Sequence, residues 1–324
     1  MFRRRHFWRF LNSTINPKPP CQMPTPEVID SVRLHFSPQS LWILNFCLGF
    51  IIFGVALELK LRHFRMVMSN PKTAAVALTA QLLLMPLITL GLIYLFRPMP
   101  SMALGMMLVV ACPSGSVANF ISLNSKANAA LSVSLTATFT MLAPLITPAV
   151  FGFWGNLYPP AAQLMRTISV SLPQMFATVL LVLGIPLLLG LYVSEKHSQL
   201  AARIAPSVHK VSLFIFIVVI IAALVSNFQY FLAYIHMVAL LVLLHNGLGF
   251  GGGYLFAKLL GLKEYDARTI SIETGIHNTG LGLMLIFTFF GGLGGMAILA
   301  AWWGIWDMLA GLALSQYWAK RPPK

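Results

Sequence analysis

Along the chain, hydrophobic positions gather into long runs separated by charged residues or by Pro/Gly punctuation. Nine runs stand out, at roughly 40–59, 72–96, 102–125, 129–153, 167–193, 209–227, 231–258, 268–290 and 293–318. A helix of about 20 apolar residues crosses the roughly 30 Å hydrocarbon core of a bilayer. The pattern therefore predicts an all-α polytopic membrane protein with nine transmembrane helices.

Two of these runs are interrupted. The third contains "CPSGS" (112–116) and the eighth contains "ETGIHNTG" (273–280), so that Pro, Gly, Ser, Thr and Asn fall at mid-membrane depth. No water is present there to satisfy free backbone groups, and irregular backbone is tolerated only inside protein or beside a water-filled cavity. Divided after the fourth run, the chain has one interrupted helix as the penultimate member of each part. Paired discontinuous helices at matching places point to an inverted-repeat transporter with a site near the midplane. The remaining glycines and prolines read as packing notches, turns or kinks. "GFGGGYLFAKLLG" and "FFGGLGG" suit close helix contacts and a turn, and Pro86, Pro144, Pro148, Pro173 and Pro186 suit kinks.

Composition removes the soluble alternative: 58% of the 324 residues are hydrophobic and only 9% are charged. The formal net charge of +14 does not signal nucleic acid, because the basic residues lie mostly between apolar runs. Sorted by alternate sides, fourteen Lys and Arg, from Lys60 to Lys324, fall on one side; the connecting loops of the other carry only Arg97 and Arg166. The positive-inside rule makes the richer side cytoplasmic. The expected location is a cell (inner or plasma) membrane, with the C-terminus inside. Nine spans then put the N-terminus outside, against the six Lys and Arg before residue 40. The basic, Pro-rich segment 1–39 has no apolar core and is no secretory signal. It reads either as an amphipathic segment on the lipid surface or as a solvated tail. Cys21, Cys47 and Cys112 form neither a disulfide framework nor a metal-ligand spacing.

"VVACPSGSVANFISLNSKANAALSVSLTATFTMLAPLITP", "LLHNGLGFGGGYLFAKLLG" and "SIETGIHNTGLGL" resemble, in order, the signature segments of the bile acid:sodium symporter family. The resemblance covers about 41–320. It implies a ten-helix inverted-repeat fold, here lacking the first helix, within a transporter domain at 40–320. A core domain (72–153 and 231–318) would hold two crossing broken helices, and a panel domain (40–59 and 167–227) would flank it. Sodium-coupled uptake of an organic anion by alternating access is the implied activity.

Residue by residue, the resemblance places Asn119, Ser132, Thr136 and Glu273 in a first sodium site. Neutral oxygens plus one carboxylate suit a hard cation, and Ser132 and Thr136 lie one helical turn apart. An ionisable residue inside a span is a functional candidate by default, which singles out Glu273. Ala118 stands where the family has a serine, which removes one oxygen. The second site would use Gln81, Glu273 and the carbonyls of Thr274 and Ile276, with His277 replacing the family's glutamine. Imidazole prefers softer metals, and its protonated form repels cations, so both sodium sites are altered. Ser116 and Asn278 fall at substrate-contact positions. Ser116 and Asn119 flank one broken-helix N-terminus, and Asn278 and Thr279 the other; such ends attract carboxylates. Asp307 aligns where substrate-contacting members carry histidine.

The leading expectation is a symporter of a bile-salt-like or small keto or hydroxy acid. The alternative is a proton-linked or sodium-independent carrier in which protonated His277, held by Glu273 and Asp307, stands in for the second sodium. A nontransporting ligand sensor and a channel also stay open. There is no nucleotide-binding loop, zinc motif or nucleophile elbow, which argues against a pump or an enzyme.

Overall fold

A computed structural model describes residues 29–30, 32–34, 38–226, 228–321 and 323. Nearly all of the basic tail expected at 1–39 lies outside the described residues. Fifteen helices follow in order among them. The first part runs α1 (Pro38–Ala56), α2 (Leu61–Ser69), α3 (Pro71–Thr79), α4 (Met85–Phe96), α5 (Pro100–Ala111), α6 (Ser116–Asn124) and α7 (Ala129–Gly155). Then come α8 (Pro159–Ile168), α9 (Leu172–Val179), α10 (Ile185–Lys196), α11 (Ser198–Ser226), α12 (Phe228–Leu259), α13 (Glu264–Gly275), α14 (Thr279–Phe289) and α15 (Gly294–Ala319). A single isolated bridge, Arg33 with Leu293, is the β-structure among the described residues.

Each apolar run overlaps a helix, or two helices joined at a break or a π-turn, among the described residues. Among the described residues, five helices are long and apolar enough to cross a membrane by themselves: Pro71–Phe96, α7, Leu172–Lys196, α12 and α15. The pair α5–α6, bent by 68°, makes a sixth if it is one span. α3 and α4 join through a π-turn, Ala80–Leu84, and α9 and α10 through another, Leu180–Gly184. Each π-turn ends two residues before a proline, Pro86 or Pro186, whose missing N–H interrupts the α-ladder there.

Several expected boundaries move. The fifth run starts at Leu172, not 167, because Ser169 is left-handed (φ 58°) and ends a separate helix there. Pro173 opens α9 instead of kinking it. Residues 194–208, the polar stretch between the fifth and sixth apolar runs, are helical except for His197.

The break at 112–115 follows from its sequence. A residue before proline is pushed out of the α region, and Cys112 is extended (φ −87°, ψ 108°) ahead of Pro113. Gly115 then enters α6 in extended geometry. In the other broken pair, Ile276 is extended and Asn278 caps α14, its Oδ1 accepting from Leu281 N at 3.0 Å.

α5 is buried from Ser101 to Ala111 and packs on α4, α7 and α15. α12 lies along α13 at close range. A Cβ on Gly253 would come within 2.8 Å of Thr274, and one on Gly249 within 3.2 Å of the Thr274 carbonyl. Between helices in lipid, where hydrophobic driving force is absent, such small-residue contacts supply the packing. α1 packs instead against α10 and α11.

Residues 29–30 and 32–34 bind the start of α5, the start of α15 and the turn before it. Ile29 is fully buried, Leu34 N donates to Gly292 O (2.8 Å) and Gly294 N to Val32 O (2.9 Å). Gly292 has φ +67°, and a side chain there would lie 2.9 Å from Leu34 O, so the turn requires glycine. Asp30 Oδ1 accepts from Ser101 N at 3.1 Å, satisfying a free amide in the first turn of α5. Asp30→Ala is expected to lose about 1 kcal/mol of stability, the usual worth of a capping carboxylate, read as a lowered melting temperature of purified protein.

Candidate functional site

The two broken pairs meet at their breaks: Asn278 N donates to Pro113 O at 3.1 Å. Around this junction the structure gathers most of the expected residues. Glu273, near the end of α13, is 2% exposed. Ser132 and Thr136, one turn apart on α7, reach its carboxylate: Ser132 Oγ is 2.6 Å from Oε1, and Thr136 Oγ1 is 3.1 and 3.3 Å from Oε1 and Oε2. Both hydroxyls also reach Asn119 Oδ1, at 3.0 and 2.9 Å. Ser114, within the break, donates to Glu273 Oε2.

Hydrogen arithmetic makes this cluster unusual. A hydroxyl has one hydrogen, while an ionised carboxylate and an amide oxygen only accept. Ser132 faces two such acceptors and Thr136 faces three. With the Asn119 oxygen turned to both hydroxyls, oxygen lone pairs oppose each other around a buried carboxylate, an arrangement completed by a cation, an added proton or a turned Asn119 amide. The donor set of neutral oxygens and one carboxylate fits a hard monovalent cation.

The residues of the second expected site are also near. Gln81 occupies the π-turn that packs on α13. Its Nε2 donates to Val110 O at 2.9 Å, while its buried Oε1 has no hydrogen-bond partner. An orphaned buried oxygen is costly unless something outside the chain meets it, which also fits a cation. Thr274 is buried with its carbonyl toward Gly249, and its hydroxyl donates to Ile270 O (2.7 Å). Ile276 is 1% exposed. His277 is 5% exposed, with no hydrogen-bond partner on either ring nitrogen. Its ring stands edge-on to Trp303, as does that of His245, whose Nε2 is 2.7 Å from Thr89 Oγ1.

Asp307 does not pair with the His277 ring. Its Oδ2 accepts from the His277 backbone N–H (3.0 Å), and its Oδ1 from Asn246 Nδ2 (2.8 Å), which also donates to Gly275 O (2.8 Å). Asn246 and Asp307 thus clamp the end of α13 and the start of the break.

Of the expected substrate residues, Ser116 opens α6 and is partly exposed, as are Asn119, Asn278 and Thr279. α6 has no side-chain cap at its N-terminus, whereas Asn278 caps α14. Toward the chain's end, buried Arg268 binds Glu264 (3.0 Å) and the carbonyls of Ser125, Trp318 and Arg321, tying α6 and α15 to α13.

Sequence reasoning missed Ser114 and the Asn246–Asp307 clamp. The signal for Ser114 was the polar run "CPSGS" itself. For Asn246 it was an amide inside an apolar span, next to His245.

Helices that break and meet around a buried carboxylate, in a chain with several helices able to cross a membrane, fit a membrane carrier. The profile of the sodium bile acid symporter family matches residues 45–234. The chain is 33% identical over 303 residues to the uncharacterized sodium-dependent transporter YocS of Bacillus subtilis, covering 92% of this chain and 91% of that protein. It is also similar to the probable sodium/metabolite cotransporter BASS1 of Arabidopsis thaliana chloroplasts (28%, covering 84% of this chain and 65% of that protein). The human ileal sodium/bile acid cotransporter is 26% identical, covering 74% of this chain and 67% of that protein. The chain belongs to the sodium bile acid symporter family, a family of transporters and not of enzymes.

Proposed function

We propose that this protein is a sodium-coupled symporter of a small organic anion, working by alternating access. The observation that carries the reading is the oxygen cluster at Glu273, where Ser132 and Thr136 face more acceptors than they have hydrogens. A sodium ion would bind Asn119, Ser132, Thr136 and Glu273, and a second would use Gln81 Oε1 and the Thr274 and Ile276 carbonyls. Each ion would bring positive charge to the crossing, beside the open N-terminus of α6, which favours a carboxylate or sulfonate. Ser116, Asn278 and Thr279 would contact that anion. The names of the relatives, sodium/metabolite and sodium/bile acid cotransporters, support both halves of the reading.

The core would comprise 72–153 and 231–318, and the panel 40–59 and 167–227, consistent with the packing of α1 on α10 and α11. Nine spans would place the two ends of the chain on opposite sides. Val32 and Leu34 support this: they bind at the start of α15, and the C-terminus follows that helix's far end. At 1.5 Å per residue, 26 residues separate the two by about 39 Å. With the C-terminus cytoplasmic by the charge of its loops, residues 29–30 and 32–34 would lie on the outer side.

The proton-linked alternative requires a charged His277 facing Glu273 or Asp307. The ring has no hydrogen-bond partner, and Asp307 is engaged at the backbone of the same residue, so sodium coupling is the better reading. Uptake into proteoliposomes tests it, using labelled keto acids, pantoate-like acids and bile salts, with sodium replaced by potassium and pH stepped from 5 to 8. Saturable uptake driven by a sodium gradient is expected. Uptake driven by pH in potassium would establish the alternative; binding without flux would indicate a sensor, and non-saturating flux a channel.

A further inference from the structure

Ala118 is fully buried and has no oxygen to offer, where the resembling family carries a serine. Ser114 lies four residues earlier, in the non-helical break, and is 1% exposed. It donates its one hydrogen to Glu273 Oε2. Among the described residues, no donor reaches the Ser114 oxygen in return, so that oxygen keeps its accepting capacity beside the carboxylate. Burial of a hydroxyl at this depth needs a reason, and its contact is with the one carboxylate of the candidate cation site.

We propose that Ser114 supplies the cation ligand that Ala118 cannot. This rests on the sodium-coupled reading above and deepens it. The first site of this chain is then Ser114, Asn119, Ser132, Thr136 and Glu273. The number of oxygen-bearing side chains is preserved, and one hydroxyl has moved from α6 into the break. The move has a consequence for coupling. Ser114 adjoins Pro113, whose carbonyl accepts from Asn278 and joins the two broken pairs. A cation that holds Ser114 therefore also fixes the crossing beside which Ser116 and Asn278 would receive the anion.

The test is thermal unfolding of the purified protein in detergent, titrated with sodium chloride against choline chloride at constant ionic strength. Wild type is expected to be stabilised by sodium. Ser114→Ala should need about tenfold more sodium for the same stabilisation, on the scale of losing one contributor to a metal site. Adding Ala118→Ser to Ser114→Ala should recover most of that loss, because a hydroxyl returns to the site from the neighbouring helix. Ser114→Cys, nearly isosteric but with a soft sulfur that suits sodium poorly, should behave like Ser114→Ala and serves if the alanine variant does not fold. Wild-type sodium response in Ser114→Ala or Ser114→Cys would overturn the assignment, as would a folded double variant without recovery. A wild type indifferent to sodium would overturn instead the sodium-coupled reading on which the assignment stands, and the assignment with it.

Discussion

Glu273→Gln should abolish sodium-dependent uptake, a loss of about two orders of magnitude or more, while leaving the protein as stable as wild type, or more so, in sodium-free buffer. The two halves of this expectation come from one geometry. Two hydroxyls share too few hydrogens among the Glu273 and Asn119 oxygens. A glutamine amide brings two hydrogens to the cluster and removes a buried charge, which on insertion scales costs roughly 2.5–3.5 kcal/mol at mid-membrane. The empty site is relieved. A cation arriving there would meet an amide's hydrogens and no compensating charge, so its affinity collapses. A ligand at 100 times its dissociation constant adds about 2.7 kcal/mol to apparent stability, and the variant should lose all of that increment. Melting curves with and without sodium, beside proteoliposome uptake, check both. A variant that unfolds more easily in choline yet keeps its sodium response would show the cluster to be a structural hydrogen-bond network.

How much of this was legible beforehand differs by residue. The break at Pro113 could be read directly, because proline constrains the residue before it wherever the chain goes; Cys112 is extended for that reason. Ser132 and Thr136 could be paired from helical spacing alone, and they do share a partner. The helical course of 194–208 was hidden because its polar residues look like a loop, and a single left-handed residue, Ser169, divides what read as one apolar run. Ser114 could be seen as a polar residue in a costly place, but not as a contact of Glu273. That contact depends on two segments 159 residues apart meeting at their breaks. For Asp307, residue type suggested charge facing substrate or histidine, and only geometry shows both oxygens engaged by amides.

That engagement makes Asp307→Asn a second large effect, of opposite sign to Glu273→Gln. Asp307 Oδ1 and Oδ2 each accept from a donor that cannot turn away. His277 N–H is fixed by the backbone of the break. Asn246 Nδ2 is held by its other bond, to Gly275 O, so flipping that amide sacrifices one contact to repair another. An asparagine at 307 has one accepting oxygen for these two donors, and its own NH2 must face one of them. A buried donor left unsatisfied costs about 1–3 kcal/mol. Asp307→Asn should therefore lower stability by that order in sodium-free buffer, although removing a buried charge by itself would raise it. Uptake should fall as well, because the clamp sets where α13 ends and so where Glu273 and the Thr274 and Ile276 carbonyls stand. The sodium response, measured as the shift in melting temperature between choline and sodium, should persist in weakened form. Were Asp307 instead a direct substrate contact, the same change would alter apparent substrate affinity and leave the melting temperature in choline where it was. That outcome would remove the clamp, and with it the reason for a carboxylate in the middle of the last helix.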